Sequence, residues 1–195
     1  MEYDVIGDIH GHADKLKALL RRMGYAERRG RWQPPAGHQT IFVGDLIDRG
    51  PEQAAVVALV RAMVDAGDAH AVLGNHELNA LGFAQPDPDR PGGQYLRPHS
   101  AKNVEQHEAF LHQVEFGSGE HRAMLDWFRT LPPSLELDGI RVVHAWWHPP
   151  YVDAMARRLN GKPIDDAFLV DAFRSGSHEW TAMEGLTKGL ELRLP

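Results

Sequence analysis

Residues 40–50 read TIFVGDLIDRG, Thr40 to Gly50. An apolar run of strand length stops at a glycine. Asp45 follows at once, then Asp48 beside Arg49. A short unbroken apolar run bounded by a turn residue suits a strand covered on both faces. The design occurs twice more. Upstream, Tyr3 to Gly7 (YDVIG) runs into Asp8-Ile9-His10-Gly11, and downstream His70 to Gly74 (HAVLG) runs into Asn75-His76-Glu77. Between these runs lie helical patterns. Leu16, Leu19, Leu20 and Met23 recur at helical spacing, and Ala54 to Val64 carries a dense apolar face behind Pro51, a residue favoured near helix starts. Strand, helix, strand, helix, strand in this order predicts an α/β sheet with a parallel core. In such sheets the carboxyl ends of the strands share one edge, where ligands gather. Asp8, Asp45, Asn75 and a later strand-end histidine, His144, lie 37, 30 and 69 positions apart and can therefore meet in space. Gly7, Gly11, Gly44, Gly50 and Gly74 sit where tight turns and close backbone approach are needed.

The rest of the chain is less regular. Gln85 to Pro98 is rich in Pro, Gly and Asp and reads as a loop, with the stretch between Met23 and Thr40 a second polar break. Ser100 to Arg129 reads as helical, with Phe110, Leu111, Val114, Leu125, Trp127 and Phe128 on its apolar side, so the region from about 84 to 130 is expected to be a cap-like insertion. Asp138-Gly139 between two short apolar runs predicts a hairpin, 135–137 with 140–143, ending at His144. Two helices are expected after His148-Pro149-Pro150, near 152–159 and 165–173, and the last residues, 189–195, read as an unfinished strand.

Composition narrows the function classes. The 195 residues hold 43% hydrophobic and 25% charged side chains, as an ordinary globular chain does. The net charge of −6 argues against nucleic acid or an anionic membrane as the main partner. The absence of cysteine excludes disulfides, thiolate nucleophiles and Cys-type zinc sites within the chain. Neither a signal-peptide pattern nor a spanning apolar stretch is read, so a cytoplasmic protein is expected. Histidine is abundant at 12 residues. Carboxylate, imidazole and amide oxygens suit borderline to hard divalent ions, and a shared carboxylate can bridge two of them to clamp a displacement at phosphorus.

Taken together, GDIHG (7–11), GDLIDRG (44–50), GNHE (74–77) and VVHA (142–145) resemble the calcineurin-like metallophosphoesterases. The likeness is nearest the branch of Ser/Thr protein phosphatases and symmetrical bis(5′-nucleosyl)-tetraphosphatases. It implies one domain over 1–195, a metallophosphoesterase-type four-layer β-sandwich flanked by helices. By resemblance, Asp8 and His10 hold one metal ion, Asp45 bridges, and Asn75 and His144 hold a second. Manganese is the first choice of ion, with iron, zinc, nickel or magnesium as others. Metal-bound hydroxide then attacks the phosphorus of a phosphomonoester or phosphoanhydride. His76 protonates the leaving group with Asp48 behind it, and Arg49, Asn75 and His76 meet the substrate. The substrate is a phosphorylated small molecule, a dinucleoside polyphosphate or a phosphoprotein.

The family adds a late Gly-His that this chain lacks. After His144 only His148 and His178 remain, and neither follows a strand and a glycine. His148 is the alternative ligand, and the C-terminal part is expected to be incomplete, leaving a sheet edge open to self-association. A truncated or degenerate relative that only binds metal or nucleotide is the competing reading. Asp48 reads equally as a cap for the helix near Pro51, and Glu77 as a first-turn acid. His99, His107, His112 and His121 read as solvated surface, Arg90 and Arg97 as solvent-facing charges with reach to a polyphosphate chain as the alternative, and Trp146 and Trp147 as packing, with one of them lining the pocket as the alternative.

Overall fold

The computed structural model describes residues 1–90 and 92–190. Strand β1 (Glu2–Ile6) leads into helix α1 (Ala13–Arg22), then β2 (Ala26–Arg28), β3 (Arg31–Gln33) and β4 (His38–Phe42). Helix α2 (Gln53–Asp65), β5 (Ala69–Ala71) and α3 (Asn75–Ala84) complete the first half. The second half comprises α4 (Ala101–Gln113), α5 (Gly119–Phe128), β6 (Ser134–Leu137), β7 (Ile140–Val143), α6 (Pro149–Leu159), α7 (Asp166–Phe173) and α8 (His178–Lys188).

The central sheet is β1-β4-β5, parallel throughout. Val5 pairs with Ile41 and Ile6 with Phe42, while Ile41 pairs in turn with His70 and Phe42 with Ala71. Side chains alternate between faces along a strand, and here each face has its own cover. Phe42 and Ile6 join the main core with Leu16 and Leu20 of α1 and Val56, Val60 and Met63 of α2. Ile41 and Val72 turn the other way, onto Val142 and Leu135 of the antiparallel β6–β7 hairpin. The apolar run at 40–43 is therefore continuous because both faces are packed. Phe110 and Phe128, both fully buried, carry α4 and α5 into the same main core as Leu81 of α3 and Phe168 of α7.

The α/β architecture with a parallel sheet is as expected, and three local readings are corrected. The polar break after Met23 contains the β2–β3 hairpin, whose turn residues Arg29 and Gly30 both have positive φ, as a twisted two-residue hairpin turn demands. Trp32 is buried beneath it, with Arg21 over its ring. The helix expected over 100–129 is two helices, because Gly117 takes a positive φ and Ser118 caps α5 by accepting from the His121 N–H at 3.1 Å. Helix α8 is additional. It starts at Ser177, whose hydroxyl accepts from the Trp180 N–H at 2.9 Å, and it buries Ala182, Met183 and Leu186. Of the expected C-terminal strand, only Gly189 and Leu190 lie among the described residues, and neither is in a strand. No helix among the described residues is long and apolar enough to cross a membrane.

Candidate metal centre

The carboxyl ends of the parallel strands open into the loops that carry the motifs. Ile9 and His10 both donate backbone N–H to the Asp45 carbonyl, and Gly11 donates to that of Leu46, so the first two loops are laced together. The third joins them through closely apposed glycines. A Cβ on Gly44 would come within 2.4 Å of the Gly74 nitrogen, and one on Gly74 within 2.3 Å of the Asp45 nitrogen. His10, Asp45, Asp48 and Arg49 themselves take positive φ, an uncommon state for residues with side chains. Such backbone costs of order 1–3 kcal/mol per residue and concentrates at functional sites.

Three imidazoles converge on one oxygen. From Asp45 Oδ2, the Nε2 atoms of His144, His10 and His76 lie at 3.4, 3.7 and 3.9 Å. Asp8 Oδ2 is 3.6 Å from the same His10 nitrogen. Donor atoms of His10, Asp45 and His76 form one tight group, and those of Asp8, Asp45 and His144 another. Asp45 is common to both, as a bridging position requires. Around Asp45 one group sets His10 beside His76 and the other Asp8 beside His144, while Asp8 and His10 are themselves 3.6 Å apart. Asn75 completes the set with its amide end 3.1 Å from His144 Nε2.

The other ring nitrogen of each histidine is anchored. His10 Nδ1 meets the Ile47 carbonyl at 2.8 Å and His144 Nδ1 the Val43 carbonyl at 2.6 Å, which turns both Nε2 atoms inward. His10 Nε2 is buried and has no hydrogen-bond partner. Ligand bonds of ~2.1 Å place neighbouring ligand atoms about 3–3.4 Å apart. The observed spacings run from the top of that span, 3.4 Å for His144, to slightly above it, 3.9 Å for His76. This donor set fits divalent ions.

Electrostatics point the same way. Burial would raise the Asp45 carboxyl, but the hydrogen bond and charge of His144 and the nearby His76 hold it below the usual range. Burial would lower the His144 imidazole, yet Asp45 beside it pushes it up to about 9. His76 also ends above its ordinary value. Burial opposes this, but the hydrogen bond that His76 donates to Asp48 and the charges of Asp45, Asp48 and Glu77 prevail.

Asp48 does not cap α2. Its Oδ2 lies 2.5 Å from His76 Nδ1, and its backbone N–H donates to Gln53 Oε1 at 2.7 Å. Arg49 is exposed beside the group, on the wall of an open cleft of about 1160 Å³ that also includes Arg97, Lys102 and Gln106. Arg97 is thus a correction. Rather than facing solvent, it is half-buried on the cleft and donates to Gln106 Oε1 at 2.7 Å. Arg90 pairs with Asp87 elsewhere. His107 and His121 are buried, again against expectation, because their helices pack into the main core. His99 is stacked between Phe83 and Tyr95, while His112 is exposed. His148 packs against Trp146 and Tyr151 and joins neither donor group.

Glu77 was underrated by sequence reasoning. Fully buried, it accepts backbone N–H bonds from Asp45 at 2.9 Å, Leu46 at 2.8 Å and Gly74 at 3.1 Å. It is the clamp that shapes the Asp45 loop. Burial and the Asp45 charge push its carboxyl up to about 7 against those bonds. The only signal was its place directly after Asn75-His76.

A bis(5′-nucleosyl)-tetraphosphatase of the asymmetrical type from Oceanobacillus iheyensis is 30% identical over 145 residues, covering 74% of this chain and 55% of its own. A symmetrical bis(5′-nucleosyl)-tetraphosphatase from Ralstonia nicotianae is 26% identical over 184 residues, 91% of this chain and 56% of its own. The chain therefore spans about half the length of these curated relatives. A cold-active protein-tyrosine phosphatase from a psychrophilic Shewanella shares the fold, with a TM-score of 0.51 at 20% identity, over 92% of this chain and 57% of its own. The family model for calcineurin-like phosphoesterases matches residues 1–180, which takes in every loop of the centre, and the chain belongs to that family.

Proposed function

We propose that this chain hydrolyses a phosphomonoester or phosphoanhydride with the help of two divalent ions, manganese before iron, zinc, nickel or magnesium. The observation that carries this reading is the crowding of three histidine Nε2 atoms and the Asp8 carboxylate around Asp45, with His10 Nε2 buried and unpartnered. Asp8, His10, Asp45, Asn75 and His144 are the residues that would hold the ions. When bound, the ions supply Lewis acidity toward phosphoryl oxygens and lower the pKa of water.

The remaining roles belong to the protein. With Nδ1 of His76 held by Asp48, its Nε2 is the atom free to face the cleft. Asp48 and Asp45 hold this imidazole above its ordinary value, which favours the protonated form that donates to a departing oxygen. Arg49 offers its planar donor fork to phosphate oxygens from the cleft wall. Among substrates we favour a dinucleoside polyphosphate, on two grounds. The matched relatives are bis(5′-nucleosyl)-tetraphosphatases, and Arg97 and Lys102 add positive charge to the wall of the same cleft as Arg49.

The test is hydrolysis of p-nitrophenyl phosphate by chelator-stripped protein with and without Mn²⁺, using Asp45→Asn as control. Metal-dependent turnover that the variant loses is expected. Folded protein inactive with every metal would support the non-catalytic reading instead. A dinucleoside tetraphosphate set against a phosphopeptide then separates the substrate classes.

A further inference from the structure

Each carboxylate oxygen of Asp48 meets a different imidazole. Oδ2 bonds His76 Nδ1, and Oδ1 bonds His107 Nδ1 at 2.8 Å. His107 comes from α4, 59 residues further along the chain. It is 4% exposed and lies between Phe83 and Phe110, with ring centroids 5.2 and 4.9 Å away. Its Nε2 is buried without a partner, so the bond to Asp48 is the one polar contact this ring makes among the described residues. A purely structural core residue at this position could be apolar at lower cost, since an unpartnered buried nitrogen is unfavourable.

We propose that His107 is a positioning residue for His76. By holding Oδ1, it fixes the plane of the Asp48 carboxylate so that Oδ2 stays aimed at His76 Nδ1. His76 Nε2 is thereby kept toward Asp45, 3.9 Å away. Asp48 needs this second anchor because its own backbone sits at φ 70, in the strained left-handed region. The same helix is tied to this loop again at its far end, where the Gln53 N–H donates to Gln113 Oε1 at 2.7 Å. On its outer side α4 presents Lys102 and Gln106 to the cleft. One helix therefore walls the cleft and locks the proton-donating pair.

The catalytic half of this inference rests on the reading of His76 as the proton donor, so the experiment has two arms. In the first, His107→Phe and His107→Asn are assayed with Mn²⁺ on phenyl phosphate and on p-nitrophenyl phosphate, whose leaving group needs less protonation. His107→Phe is expected to lower kcat on phenyl phosphate about tenfold or more, with a smaller loss on p-nitrophenyl phosphate and KM little changed. His107→Asn, which keeps a donor, should recover part of the loss. In the second arm, NMR of the metal-free protein follows the histidine Nδ1–H protons. Wild type should show hydrogen-bonded protons from both His76 and His107, and the His76 signal should move upfield or vanish in His107→Phe. An unmoved His76 proton overturns the proposal. Equal losses on both substrates, tracking thermal stability, also overturn it. Should His107→Phe fail to fold, a wild-type spectrum lacking the His107 Nδ1–H signal overturns it alone. A wild type inactive on both substrates refutes the proposed function, while the NMR arm still decides the positioning role.

Discussion

Gly74→Ala perturbs the centre through a single methyl group. Gly74 has φ −89, which alanine adopts freely, so any effect is steric. The new Cβ would sit 2.3 Å from both the backbone nitrogen and Oδ1 of Asp45, and 2.7 Å from Glu77 Oε2. Ordinary contacts begin near ~3.5 Å, so something must move by about 1 Å. Glu77 Oε2 holds the N–H groups of both Asp45 and Gly74, and the three cannot part without breaking buried bonds. We expect destabilisation of about 1–3 kcal/mol from overpacking, together with a loss of turnover of about 10²-fold from misplacing the bridging carboxylate. Two other glycines serve as controls. A Cβ on Gly7 meets nothing within 4 Å, so Gly7→Ala should behave as wild type although it lies in a motif. A Cβ on Gly82 would lie 2.2 Å from Phe173 Cζ, as close a clash but with the far end of a side chain. Gly82→Ala should therefore lower the melting temperature while leaving the metal site alone. The assays are Mn²⁺ titration, p-nitrophenyl phosphate turnover and thermal melting. Gly74→Ala with wild-type Mn²⁺ affinity and turnover would refute the reasoning, as would Gly82→Ala losing metal to the same degree.

Three other predictions follow from the same geometry. Asp45→Asn should abolish Mn²⁺ binding and turnover together, because both donor groups share that carboxylate; retained binding measured by calorimetry would contradict the bridge. His76→Ala should keep metal while slowing turnover by about 10²–10⁴-fold, and a metal-free variant protein would show that His76 is a ligand instead. His144, pushed up to about 9, is protonated at neutral pH before metal binds, and metal ligation requires the neutral ring. Mn²⁺ binding near neutral pH should thus release protons, with affinity rising toward pH 9, as calorimetry in buffers of different ionisation enthalpy would reveal. The sign for the metal-free fold is opposite. Its ion pair with Asp45 stabilises fully below the ordinary imidazole pKa of about 6.5 and is lost as pH rises through about 9.

The sequence alone determined the strand–helix order of the parallel sheet and the candidate ligand types. Unbroken apolar runs ending in glycine and then Asp, His or Asn require strands covered on both faces that deliver polar groups at one end. That inference needs only local pattern and the rule that parallel strands share a carboxyl edge. The candidate residues Asp8, His10, Asp45, Asn75, His76 and His144 were legible for this reason, and the fold places the other five close to Asp45. What was not legible depends on contacts between distant elements. Glycines in the motifs suggested where the backbone turns sharply, yet His10, Asp45, Asp48 and Arg49 carry positive φ themselves, held there by bonds such as Asp48 N–H to Gln53. Glu77 looked like a helix-terminal acid until the Asp45 loop was folded over it. His107 and His121 looked solvated because burial on α4 and α5 is decided by the face that packs against Phe83, Phe110 and Phe116, not by any property of histidine. The spacing of the donor atoms around Asp45 is likewise a matter of angle and distance. Local spacing names the groups that reach the strand ends; only packing decides which way each ring and carboxylate faces when it arrives.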